Sequence, residues 1–302
     1  MAQNGVLSSQ AMAEKPPVIL TIAGFDPSSG AGISADVKTI AAHGCYGVAC
    51  ITALTVQSTS GVRRVESVDP ALIRDTLDEL DADLHIAAVH IGMLGSAKVV
   101  KAVADFLEAA ENSGNTSSKR RPARLSNIVL DPILKSSSGA DLLDSAGTKL
   151  LTERLIPLAD VITPNTDEAA VLTGLRVNDL DTMREAAGKL HQMGASAVVI
   201  TGGDLEKAID LLSYPTSKGI QQEVFKAERQ RSTSTHGTGC AFATSMACHL
   251  ALERGLAEAT LLSKTYVGAA ITNAQILGKG TGPVHHLYRM TQQRRATSMG
   301  GE

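Results

Sequence analysis

Short apolar runs alternate with amphipathic stretches along most of the chain, and the runs end at Gly, Pro or Asp. The run at 18–23 (VILTIA) predicts a buried strand that feeds a loop at Gly24. A helical pattern covers 30–43 and stops at Gly44; 47–54 (GVACITAL) predicts the next strand, and Pro70 suits the first turn of a helix reaching about Asp81. Strand patterns at 87–91, 127–130, 160–163 and 197–201 then alternate with helical patterns at 97–110, 141–155, 166–173 and 179–193. Repeated strand, loop, helix units predict an α/β fold: a mostly parallel central sheet with helices on both faces.

Two stretches depart from this rhythm. Residues 209–224 show short alternating runs around Pro215 and Gly219, which predict antiparallel strands at a sheet edge. Residues 111–126 have no apolar period and predict a surface loop, in which Lys119, Arg120 and Arg121 form one basic cluster. Helices at 239–254 and 256–277 and a glycine-rich GKGTGPVHH segment close the pattern.

Composition narrows the function classes. A net charge of −3, scattered Lys and Arg, no Trp, and four each of Phe and Tyr argue against nucleic-acid binding. The four cysteines, Cys45, Cys50, Cys240 and Cys248, form no CxxC and read as free thiols of a reducing compartment. Residues 1–17 lack a charged segment followed by an apolar one, and no run approaches the ~18 apolar residues of a membrane span. The expectation is a cytoplasmic protein with a disordered tail at 1–17 and a flexible tail at 289–302 around one domain at 18–288.

Chemistry should lie in the loops beyond the strand ends. No GxxxxGK[ST], three-glycine dinucleotide spacing, GxSxG or HExxH occurs, which removes the simplest support for P-loop, Rossmann, serine-hydrolase and zinc-protease chemistry. In STSTHGTGCAFATSM (232–246), Gly237 and Gly239 allow close backbone approach to a ligand where a helix begins. Either this is an anion site or Thr238 simply caps the helix. Cys240 falls in the first turn, where a thiol can shift toward thiolate.

Further loop signals stand in order: GFDPSSGAGISAD at 24–36, QST at 57–59, IGML at 91–94, LDP at 130–132, TPNTDE at 163–168 and TGGD at 201–204. Together with STHGTGC and the terminal GPVHH, this series resembles the hydroxymethylpyrimidine kinase / phosphomethylpyrimidine kinase family of thiamine biosynthesis, in the ribokinase-like superfamily. The resemblance covers 18–286. It implies a three-layer α/β/α domain, commonly dimeric. The implied reaction uses ATP and Mg²⁺ to phosphorylate 4-amino-5-hydroxymethyl-2-methylpyrimidine, and then its monophosphate.

The resemblance also implies roles. Gly237, Thr238 and Gly239 would form the anion hole, with Cys240 either accepting the hydroxyl proton or completing the hole. Asn165 and Glu168 match the signature for ATP phosphates and Mg²⁺, with Glu168 acting through water. Gly24, Asp26, Asp36 and Met93 would belong to the substrate pocket; Asp131, Thr201 and Lys264 would lie near the nucleotide. Gln57 offers an amide oxygen beside an NH₂, which suits the amino group and ring nitrogen of an aminopyrimidine. Two lysines usual in such relatives are missing: Ser137 and Thr201 stand in their places, with Lys135 two positions before Ser137. The rival readings are a pyridoxal kinase and a pyrimidine-binding protein without turnover.

Overall fold

The computed structural model describes residues 15–113, 125–136, 139–203, 205, 208–228, 230 and 232–290. Ser137, the cluster at 119–121 and most of both expected tails lie outside the described residues.

The first half of the chain carries β1 (Val18–Phe25), α1 (Gly32–Ala42), β2 (Tyr46–Ser58), β3 (Gly61–Ser67), α2 (Pro70–Asp83), β4 (Ile86–Ile91) and α3 (Ala97–Ser113). The second carries β5 (Ile128–Leu130), α4 (Ser145–Leu150), β6 (Val161–Ile162), α5 (Thr166–Thr173) and α6 (Leu180–Gln192), then β7 (Ala197–Gly202), β8 (Ala208–Thr216), β9 (Gly219–Ala227), α7 (Thr238–Ala251) and α8 (Leu256–Thr272). The strands form one sheet in the order β3-β2-β1-β4-β5-β6-β7-β8-β9. Pairing is parallel from β2 through β1 and β4 to β7, and antiparallel at both edges.

Strand alternation divides the core. Ile19, Ala88, Val129, Val161 and Val199 pack with Ile40 of α1 and with Phe242 and Met246 of α7. Their neighbours Leu20, Val89, Leu130, Ile162 and Val198 face the other way, against Ile73, Val103, Ala169 and Met183 of α2, α3, α5 and α6. Successive side chains of a strand point to opposite faces, so runs that are apolar at every position need helices on both sides. β2 and β4 flank β1, so the strand order reverses there and a crevice opens beyond the carboxyl ends.

Several boundaries differ from the sequence pattern. β3, not foreseen, folds back on β2 through a turn at Gly61 whose φ is 128°. The helix expected at 141–155 starts at Ser145, because Asp144 caps it by accepting the Gly147 N–H at 2.7 Å. It continues as a π-turn over Leu151–Leu155 and a 3₁₀ turn over Ile156–Leu158. The last helix ends at Thr272, short of 277, as the returning tail delivers the His285 N–H to the Ala270 carbonyl at 3.0 Å.

Candidate active site

The loop after β1 is organised by Asp26, which is buried and accepts bonds from Ser28 N at 2.8 Å, Ser28 Oγ at 2.7 Å, Gly30 N at 3.3 Å and Ala31 N at 3.0 Å. His236 Nε2 reaches the same carboxylate at 2.8 Å. Burial pulls the Asp26 pKa upward, but the bonds from His236, Ser28 and Ala31 outweigh it and hold it at about 2. The loop sits tightly on its own chain: a Cβ on Gly32, whose φ is 57°, would run into the Gly24 carbonyl.

The turn before α7 packs on this loop. Gly237 is the helix N-cap with φ 84° and ψ 13°, a left-handed conformation, and a Cβ there would strike the Gly30 carbonyl. Thr238 is the first helical residue and no side chain caps α7, so the simple-cap reading is replaced by a bare helix N-terminus. Gly239 faces Asp131: its missing Cβ would stand 3.7 Å from Asp131 Oδ2, with no other atom within 4 Å outside its own helix among the described residues. The returning tail zips onto the turn, with His236 N bonding Gly282 O at 3.0 Å and Val284 N bonding His236 O at 3.3 Å.

Cys240 lies in the first turn of α7 but is not shifted toward thiolate. Burial, then the charges of Asp131 and Asp36, push its thiol well above the ordinary range, outweighing a bond from the Gly32 N–H. Burial first, and then three carboxylates including Glu168, outweigh the helix terminus.

Those carboxylates are themselves buried. Burial, then the charges of Glu168 and Asp36, raise Asp131 well above its ordinary value. Glu168 is pushed by burial to about 7, against bonds from the Asn165 and Leu134 N–H groups. Asn165 and Glu168 form a capping box on α5, Asn165 Oδ1 accepting the Glu168 N–H and Glu168 Oε2 the Asn165 N–H, both at 2.9 Å. Among the described residues no three His, Cys, Asp or Glu side chains converge as a metal-ion cage. Asp36 is fully buried, accepting from Thr21 Oγ1 at 2.8 Å and Thr244 Oγ1 at 3.0 Å, bonds that tie β1 and α1 to α7.

Gln57 and His236 line a cavity of about 130 Å³ together with Thr59, Ser136 and Thr281. Gln57 Nε2 lies 3.3 Å from His236 Nε2. Met93 packs in an apolar group with Ala53 and Leu142, and its Sδ would touch a Cβ on Gly24 at 3.1 Å. Thr201 bridges to Asn165, and Lys264 pairs with Asp210 at 2.7 Å. Asp210 in turn accepts the Gly202 N–H at 3.1 Å, so α8 and the turn after β7 are fixed together. Lys135 is exposed and pairs with Asp141 at 3.5 Å.

His236, Asp210 and His286 were not among the sequence-derived site residues. His236 and His286 sit inside the HGTGC and GPVHH motifs, and that placement was the available signal. His286 is buried with Nε2 3.2 Å from the Gly30 carbonyl.

With this geometry in view, the comparisons are specific. The family model for phosphomethylpyrimidine kinase matches residues 26–285. The chain is 42% identical over 271 residues to the thiamine biosynthesis bifunctional protein ThiED of Geobacter sulfurreducens, covering 89% of this chain and 52% of that one, so it spans about half of that relative. It is 37% identical over 270 residues to the hydroxymethylpyrimidine/phosphomethylpyrimidine kinase of Haemophilus influenzae, covering 89% of this chain and 96% of that one. Among solved structures, the ADP complex of Bacillus subtilis pyridoxal kinase aligns with a TM-score of 0.79 at 32% identity, covering 91% of this chain and all (100%) of that one. A match through nearly all of the sheet, including every loop that meets at the crevice, means that the chain belongs to the phosphomethylpyrimidine kinase family.

Proposed function

We propose that this chain transfers the γ-phosphoryl group of ATP to the hydroxymethyl oxygen of 4-amino-5-hydroxymethyl-2-methylpyrimidine, and then a second phosphoryl group to the resulting monophosphate. The observation that carries the reading is the uncapped N-terminus of α7, whose Gly239 leaves an open gap toward Asp131 beside the cavity holding Gln57. Family membership indicates which chemistry such a gap serves.

Phosphoryl transfer asks mainly for positioning and charge stabilisation. Backbone N–H groups of Gly237, Thr238 and Gly239, with the α7 dipole behind them, supply fixed positive charge without a side chain. Cys240, a neutral thiol, completes the hole. Met93 and its apolar neighbours pack the ring, while Gln57 reads its polar edge; Asp26 and Gly24 hold the loop that closes over it. Thr201 and Lys264 face the nucleotide. Residues 18–288 act as one catalytic unit, an assignment supported by the continuous sheet.

Mg²⁺ fits the donor set. Asp131 and Glu168 are hard oxygen donors buried close enough for the charge of Glu168 to raise Asp131, a repulsion that a cation relieves. Glu168, with Asn165, would hold it through water. When bound, the ion neutralises charge on the phosphates.

The assembly we propose is a homodimer, supported by Leu54 and Val56, exposed on one face of β2 beside Phe25. Among the described residues no helix is long and apolar enough to cross a membrane. Cytoplasmic placement, the absence of nucleic-acid partners and ATP as donor belong to the same proposal.

The similarity to a pyridoxal kinase structure favours pyridoxal as the second reading. Steady-state turnover of Mg-ATP with each acceptor separates the two. A larger kcat/KM for the pyrimidine supports the proposal, and a larger value for pyridoxal replaces it.

A further inference from the structure

Five donors converge on Asp26: the N–H groups of Ser28, Gly30 and Ala31, the Ser28 hydroxyl, and His236 Nε2 at 2.8 Å. A carboxylate so surrounded is an acceptor only, so the His236 nitrogen that faces it must carry hydrogen. Gln57 Nε2 stands 3.3 Å from that same nitrogen, and two N–H donors cannot face each other. At the other end of the amide, Thr55 Oγ1 is 3.2 Å from Gln57 Oε1. The Thr55 hydroxyl hydrogen is used on the Phe25 carbonyl at 3.0 Å, so toward Gln57 this oxygen presents a lone pair.

Both ends therefore demand the same answer. The amide stands with its carbonyl oxygen toward His236 Nε2, whose one hydrogen is shared as a three-centre bond between Asp26 at 2.8 Å and Gln57 at 3.3 Å, and with its NH₂ toward Thr55, a rotation that exchanges two nearly isosteric atoms. His236 is itself fixed: its backbone is tied to Gly282 and Val284, and its ring lies against Gly30, where a Cβ would overlap Cδ2.

We propose that His236 is a specificity-determining positioning residue, holding the Gln57 amide in one sense so that it accepts a ring edge with an amino donor beside a ring-nitrogen acceptor. This rests on the proposed role of Gln57 in substrate reading. One amide N–H and one carbonyl lone pair remain directed away from His236 and Thr55, and an edge of reversed polarity, a ring carbonyl beside a ring N–H, meets like against like. The tail segment around Pro283 thereby anchors the residue that orients the selector, one peptide bond from the anion turn.

The test compares kcat/KM for 4-amino-5-hydroxymethyl-2-methylpyrimidine and its 4-oxo analogue. His236→Phe keeps a ring against Gly30 but removes the N–H, and the amino preference should fall about tenfold, the size of one lost hydrogen bond, chiefly through KM. His236→Gln, which retains an N–H donor, should keep most of the preference. Thr55→Val, which frees the other end of the amide, should erode it without touching His236. In a Gln57→Ala background His236→Phe should leave the preference unchanged. Equal losses on both substrates, or an undiminished His236→Phe effect without Gln57, would overturn the proposal. If the unaltered protein turns over neither pyrimidine, the underlying reading of the site fails, whatever His236 does.

Discussion

Gly239 on α7 and Asp131 after β5 face each other across a gap: a methyl group on Gly239 would stand 3.7 Å from Asp131 Oδ2, an ordinary contact distance, and, outside its own helix and among the described residues, would meet nothing else. The glycine is thus not required by folding. In a helix, replacing Gly by Ala gains roughly 0.5–1 kcal/mol. Gly239→Ala should leave the melting temperature unchanged or higher while kcat falls by about a hundredfold or more, since the methyl occupies the phosphoryl path. Gly237→Ala is the contrasting case, because its left-handed φ of 84° and the Gly30 carbonyl both oppose a Cβ. That variant should lose stability as well as activity, by about 1–3 kcal/mol in a denaturant melt.

Cys240→Ser separates the two roles open to the thiol. A base is needed to deprotonate a hydroxyl but not an anionic monophosphate. Burial and the surrounding carboxylates raise this thiol, in line with the place in the hole that we propose for it. Rates of the first and second phosphorylation should fall by similar factors, below about tenfold each. A loss confined to the first step would restore the thiol as base.

Glu168 carries a cost. Its pKa, pushed to about 7 by burial, lies above the ordinary 4.5, so the folded state binds more protons than the unfolded chain between those values. The stability associated with the protonated form is therefore lost as pH rises from 4.5 through 7. Glu168→Gln should raise the melting temperature at pH ~8 by a few degrees, with little change near pH ~5. The same substitution should raise the Mg²⁺ concentration needed for half-maximal activity. A lower melting temperature at the higher pH would refute the assignment of strain to this carboxylate.

Acid should act through two histidines. His249 is held at about 4 by burial and then by the nearby His43 and Arg289, and both its ring nitrogens are buried without a hydrogen-bond partner. His286 is held at about 4 by burial and then by Lys38. Each is depressed from 6.5, so the unfolded chain takes up protons first, and stability declines as pH falls from 6.5 toward 4. Melting temperature measured across this interval should drop steadily, and His249→Leu should flatten part of the slope. An unchanged slope in that variant contradicts the role given to His249.

Much of the architecture was legible because period alone separates buried strands from amphipathic helices. The nine-stranded order was not, since β3 is exposed along much of its length and carries little apolar signal. The candidate site was legible as a set of loops: Gln57 reaches His236 next to Gly237, and Gly239 faces Asp131, which feels the charge of Glu168. What sequence could not supply was the balance of local fields. The helix terminus that ought to acidify Cys240 is outweighed by burial and then by Asp131, Asp36 and Glu168, which are far apart in the chain. Nor could it tell that Asp36 bonds Thr21 and Thr244 while His236, next to the conspicuous glycines, lines the cavity.

The most direct test follows the acceptor through both steps. The protein is incubated with Mg-ATP and 4-amino-5-hydroxymethyl-2-methylpyrimidine, and phosphorus NMR records the products over time. The expected result is a monophosphate that rises and then decays into a diphosphate, with both steps lost in Gly239→Ala. A monophosphate that accumulates without further conversion, or product formation undiminished in Gly239→Ala, would contradict the proposed function.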